Sequence, residues 1–321
     1  MRPLLFVLTC LLAMTGKAQL MYNQTSLIVV HYEKTPQGDY YFYCDNKALC
    51  PYTITLNFPE LNNMRADNIL PAVIEVHPGT NRIMTIKKTG PQYSFRYSYS
   101  WAKGCPRAKA DTSITYLLPT APGRETRIIG LSLLATKLAG RSEPKDFYAI
   151  GFRMKPGDTV YAARRGRVTE TRSNIVAGDS GLAYHREVNY VEILHDDCTF
   201  GTYTLFQHNG IFVKPGDMVE AGQPLGIVDG EKFVEGIHVQ FFVRYHLEQA
   251  ILDKENQPTG ETEYWAYVPV NFWVRGAGRT HLDKQTAYTS EHPADIILRE
   301  MSKKEARKWK EAHPNSITLN P

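Results

Sequence analysis

Ten histidines are available to this chain of 321 residues, and none of them lies between His77 and His185. A histidine-based metal site in the second half could draw on His185, His195 and His208, with Glu192 or Asp196 as carboxylate partner. Hydrolysis by a metal-activated water needs about three protein ligands and one open position. His238 and Gln240 stand two apart in the run His238-Val-Gln-Phe-Phe-Val243, so on a strand they share one face, with Val239 turned to the core. The neutral amide of Gln240 is a poor ligand for such a metal, and His238 alone is either a hydrogen-bonding residue of a groove or a filler of its strand position.

The elements that must hold these residues carry a duplicated signal. Lys155-Pro-Gly-Asp-Thr-Val-Tyr-Ala162 and Lys214-Pro-Gly-Asp-Met-Val-Glu-Ala221 share the form K-P-G-D-x-V-x-A, 59 residues apart. Pro-Gly-Asp predicts a tight turn, because proline presets φ and glycine accepts a positive one. The alternating Val-x-Ala predicts a strand leaving it. Two such units predict a small β-barrel or β-sandwich with a repeated corner.

From Gly226 the chain runs GIVDGEKFVEGIHVQFFV. This resembles the closing motif of the LytM/lysostaphin family of peptidoglycan-cleaving zinc endopeptidases, G-x-S-G-N-T-G-x-S-T-G-P-H-L-H-F-E-V, without a gap. The resemblance extends to GDTVYAARRGRV, NYVEILHDD and VKPGDMVEAGQPLG, and so spans about residues 147–245. It implies a zinc held by a His, an Asp and the second His of H-x-H, with two further histidines assisting the water. On this chain the Asp position falls on Gly151, the second His of H-x-H on Gln240, and the first on His238. The Y-x-H position falls on Tyr203-Thr-Leu205, or near His208 if the register slips. The remaining His would lie shortly before residue 151, where there is none. Without the ion a bound water keeps a pKa near that of bulk water. The expected protein is therefore a degenerate member with no metal, no cofactor and no catalytic residue, His238 being a remnant. Its groove, with Gly151, Leu205, His208, His238 and Gln240 as candidate lining, is expected to bind a partner. Bulky residues at His238 or Gln240 should weaken that binding without unfolding the protein.

The rest of the chain frames this reading. A hydrophobic share of 43% with 22% charge is ordinary for a globular protein. The 19 Tyr, 19 Pro and 23 Gly, with short Val/Ile/Thr-rich runs, predict a mainly β chain with many turns. Residues 1–18 read as a secretory signal, with Arg2, an apolar run to Met14 and Ala18 before the cut. That run is too short to span a bilayer, so no transmembrane segment is expected in the mature chain. Without Arg2 and Lys17, 35 basic side chains face 33 acidic ones, a net of +2 that gives no reason to expect nucleic acid.

Residues 19–118 contain seven strand-like runs, the last at 113–118, and predict an immunoglobulin-like β-sandwich whose alternate aromatics fill the core. Residues 119–126 read as a linker and 127–275 as the LytM-like domain, with loops at 174–187 and 248–263. Residues 276–321 form a tail in which Ser302-Lys-Lys-Glu305 opens a short, basic, solvated helix. Export permits disulfides. Cys44 and Cys50, flanking a short loop, are the expected pair, with Cys105 and Cys198 left as thiols.

The functional expectation is an exported, non-catalytic protein, periplasmic or on the cell surface. Its partner would be an envelope protein such as a cell-wall hydrolase, or peptidoglycan. The alternatives are an active zinc metalloendopeptidase with relocated ligands, and a structural subunit of an envelope or surface assembly.

Overall fold

The computed structural model describes residues 26–132, 146–176, 188–229, 236–252 and 258–314, with backbone alone for 248–252 and 258–264. The signal-like residues 1–18 and most of the 174–187 insert lie outside them. The described residues are mainly β, with 22 strands against two short helices.

The N-terminal half holds β1 (Ile28–Lys34), β2 (Tyr40–Asn46), β3 (Tyr52–Asn62), β4 (Met64–Ala66), β5 (Ala72–Val76), β6 (Gly79–Lys88) and β7 (Ser94–Lys103). They form a four-stranded sheet, β1-β2-β6-β4, and a three-stranded one, β5-β3-β7. Alternate residues of β3 (Tyr52, Ile54, Leu56 and Phe58) meet Phe42 and Ile86 in one core, as period-two burial requires. Phe42, Phe58, Phe95 and Tyr97 pack there at ring distances from 5.1 to 6.5 Å. The two sheets enclose this core as the two layers of a β-sandwich.

The run at 113–118 does not join this sandwich. Its strand β8 (Thr115–Leu117) pairs in parallel with a strand of the second half, at Asn271–Val274. The residues read as a linker are also tied down. Pro119 O accepts Tyr161 N–H at 3.1 Å, and Ser290 Oγ donates to Thr120 O at 3.0 Å.

The second half continues with β9 (Glu125–Gly130), β10 (Ile150–Arg153), β11 (Thr159–Tyr161), β12 (Gly166–Arg172), β13 (Tyr190–Leu194), β14 (Phe200–Thr204) and β15 (Phe206–Ile211). Then follow β16 (Met218–Val219), β17 (Pro224–Val228), β18 (His238–Leu252), β19 (Pro258–Tyr267), β20 (Asn271–Val274), β21 (Gly278–Thr280) and β22 (Ala287–Thr289). The main sheet runs β16-β12-β13-β14-β18-β10-β9-β22, with β19 also on β18. Of the segment 248–263, read as a surface loop, residues 248–252 and 258–263 instead extend the paired strands β18 and β19, and the rest lies outside the described residues.

Both repeated turns close identically. Asp158 N–H and Asp217 N–H each donate to the lysine carbonyl three residues back at 3.1 Å, with Gly157 and Gly216 at φ of 79° and 98°. Each Asp carboxylate then accepts the N–H of that lysine, at 2.6 and 3.0 Å.

The cysteine expectation is reversed. Cys44 and Cys50 are free and buried, and the disulfide joins Cys105 to Cys198 with Cα atoms 6.1 Å apart. Cys44 belongs to β2 in one sheet, whereas Cys50 leads into β3 in the other. Asn46 shapes the loop between them, donating to Cys50 O at 3.0 Å and Val76 O at 3.1 Å. Burial pushes the two thiols up to about 11 and about 12.

The tail holds α1 (Ala294–Leu298) and α2 (Lys303–Ala312). Ser302 and Glu305 make the capping box at the start of α2. The helix is docked rather than merely solvated: Trp309 and Met301 pack beside Leu117, Ala221 and Ile297, and Arg165 pairs with Glu305.

Candidate functional site

Strands β10, β14 and β18 lie side by side and bring the expected positions together. Gly151 pairs with Gln240 across β10 and β18, and Thr204 pairs with Gln240 across β14 and β18. Val239 and Phe241 point to the opposite side, into the core with Phe152 and Tyr203.

The face they leave carries a directed chain of hydrogen bonds. Thr204 Oγ1 donates to Gln240 Oε1 at 3.2 Å, and Gln240 Nε2 lies 3.3 Å from His238 Nε2. His238 Nδ1 lies 2.6 Å from Gly236 O. A carbonyl can only accept, so Nδ1 carries the proton and Nε2 accepts from the amide. Threonine was missed at the sequence level; its signal was strand pairing, since it stands opposite Gln240.

His238 is fully buried, and Gly151 and Leu205 are buried with it. The expectation that these three line an open cleft is therefore corrected: only Gln240 of the group is half-exposed. A bulky side chain at His238 has no space to enter. A Cβ on Gly151 would sit 3.0 Å from Ile129 Cβ and 3.2 Å from His238 Cδ2. Leu205 leaves the ladder at φ 71°, its N–H bonded to Asn189 O at 3.0 Å, so it does not stand against Gln240. His208 is exposed on β15, with Nε2 2.8 Å from Asn209 Nδ2.

A zinc ion does not fit these residues. Gly151 offers no side-chain donor, and the Gln240 amide is engaged on both sides. Residues 146–150 supply Asp146, whose carboxylate accepts Tyr267 N–H at 2.7 Å. Among the described residues, His, Cys, Asp and Glu converge in threes only at Glu75, Cys105 and Cys198, and both of those sulfurs belong to the disulfide.

The alternative histidines are dispersed as well. His185 lies outside the described residues. His195 is buried, with Nδ1 2.9 Å from Thr199 Oγ1 and Nε2 without a partner. Burial, and then the Arg164 charge, push its imidazole down to about 3. Glu192 is taken by Lys103, by Thr169 at 2.8 Å and by Arg244 at 3.4 Å. Arg164, also missed at the sequence level, is 3% exposed; it binds Asp197 at 3.0 Å, Glu300 at 2.7 Å and Tyr116 Oη at 3.0 Å. Burial pushes Tyr116 up to about 12.

The sequence profile described as peptidase family M23 matches residues 146–253. No curated protein matches the chain. Among solved structures, the catalytic domain of lysostaphin from Staphylococcus simulans is 19% identical, over 39% of this chain and 83% of that one, with a TM-score of 0.24. Helicobacter pylori Csd3 is 14% identical, over 90% and 80% of the two chains, with a TM-score of 0.28. A zinc-containing peptidase from Vibrio cholerae is 15% identical, over 67% and 81%, with a TM-score of 0.26. Among the described residues no helix is long and apolar enough to cross a membrane.

Proposed function

Residues 146–253 give this chain a peptidase family M23 domain, and from that premise we propose a protein that binds rather than cuts. It is a non-catalytic protein of the bacterial cell envelope, exported to the periplasm or the cell surface. Its partner is a cell-wall hydrolase, another envelope protein or peptidoglycan.

The observation that carries this reading is the pairing of Gly151 with Gln240, where the family's chemistry needs an aspartate and a histidine. The amide closes the hydrogen-bond chain from Thr204 to His238 instead of leaving a donor set open. Restoring the acid alone would not rebuild a site, because Ile129 and His238 fill the space beside Gly151. On this reading the residues offer no donor set to hold a cation, and a water held without one keeps a pKa near that of bulk water.

The test is the zinc content of the full chain purified without chelator, with hydrolysis of purified peptidoglycan measured on the same sample. Substoichiometric zinc and no released fragments are expected. One zinc per chain, lost together with activity on chelation and restored with it, would overturn the reading in favour of a metallopeptidase with relocated ligands.

A further inference from the structure

Helix α2 is docked on one side and charged on the other. Glu305, Ala306 and Trp309 are half-buried, whereas Lys303, Lys304, Arg307, Lys308 and Lys310 are exposed. At 3.6 residues per turn these two sets separate into an inner side and an outer arc. The outer arc carries a single carboxylate, Glu311, against those cations. From this arrangement we propose that the outer face of α2 binds the surface of an anionic phospholipid bilayer, by charge and without insertion.

The positive charge is spare because the acidic groups of the helix are engaged elsewhere. Glu305 reaches inward to Arg165 and closes the capping box with Ser302. Glu311 pairs with Arg307 at 3.0 Å. The ammonium groups of the four lysines make no ion pair or hydrogen bond among the described residues.

The kind of cation selects the partner. Lysine is a compact charge on a flexible stem, suited to a fluid array of headgroups. The rigid fork that grips one fixed carboxylate or phosphate belongs to arginine, and the outer face has only Arg307, already held by Glu311. Lys303 and Lys310 lie about 10 Å apart along the axis, close to the Debye length of roughly 8 Å at physiological salt, so the charges act together on an extended plane. An acidic protein is the competing partner, and its fixed carboxylates would find no fixed donors here.

The depth of contact is set by what the helix keeps inside. Trp309 and Met301 pack beside Leu117, Ala221 and Ile297, so their apolar surface is turned to the protein and not to the lipid. The helix is also formed and docked before it meets a membrane, through its capping box and the Arg165–Glu305 pair. Binding therefore carries no cost of ordering the helix.

This proposal does not depend on whether the M23 domain binds or cuts. The test is co-sedimentation of the full chain with vesicles of phosphatidylcholine mixed with phosphatidylglycerol, and with phosphatidylcholine alone. Binding to the anionic vesicles at low salt is expected, reversed by high salt, with none to phosphatidylcholine. A basic side chain close to such a surface changes partitioning by about fivefold. Replacing all four lysines, with Lys303→Gln, Lys304→Gln, Lys308→Gln and Lys310→Gln, should therefore weaken binding at least about tenfold. Glu311→Gln, which removes the only carboxylate of the face, should strengthen it several-fold. Lys87→Gln with Lys88→Gln, exposed on β6 of the sandwich, should leave binding close to that of the parent. No binding, binding that survives high salt, an equal loss in the sandwich variant, an unchanged affinity in both α2 variants, or capture by a soluble acidic protein with the vesicles left free would overturn the proposal.

Discussion

A buried neutral imidazole is harmless at neutral pH and destabilising in acid, and His195 is such a group. Its folded pKa is lowered from 6.5 to about 3, by burial first and by Arg164 second. Between those values the unfolded chain takes up a proton that the folded one refuses, so stability is full above pH 6.5 and falls as pH drops. The loss from this residue is about 2 kcal/mol between pH 6.5 and 5. His292, lowered by burial, acts in the same direction, and the lowered carboxylates Asp197 and Glu305 add to it only nearer their own titration. Denaturant melts across pH 5 to 7 should therefore show a slope that His195→Gln flattens. An unchanged slope would mean that the imidazole titrates normally. His195 could be named in the sequence but not placed: nothing local to it announces Arg164, 31 positions earlier.

At the scale of the element, loops behaved in two ways. The duplicated Pro-Gly-Asp corners were legible because every bond that closes them lies within four residues. The capping box of α2 was legible for the same reason. The cysteine loop was misread because proximity in sequence stood in for proximity in space: Cys44 and Cys50 enter different sheets, and the bridge spans a sequence separation of 93. Closing a loop of that length restricts the unfolded chain by about 4.6 kcal/mol in the entropic account. Cys198→Ser should lower unfolding stability by a few kcal/mol under oxidising conditions and by little once the parent is reduced. Equal stability of parent and variant when oxidised would remove the bridge from the fold.

For the whole molecule, the two halves share their interior. Phe200 of β14 is fully buried in the sandwich cluster, with Leu194 and Trp265 packed against it. Lys103 at the end of β7 reaches Glu192 of β13. Such sharing couples the halves, so calorimetry should record one unfolding transition rather than a separate one for the sandwich. Two well-resolved transitions, with the first abolished by deleting residues 19–103, would contradict this. The tail belongs to the same unit, since Glu300 neutralises the buried Arg164.

The sequence by itself determined the period-two strands, the repeated corners, the capped helix and the identities at Gly151, His238 and Gln240. Each of these follows from neighbours within a few residues or from a motif read in register. Only the tertiary structure decided that His238 is enclosed, that Thr204 rather than Leu205 meets Gln240, that β8 pairs with β20, and which cysteines join. Those outcomes depend on which distant strands become neighbours, and a strand's alternation specifies what it buries but not the partner that buries it.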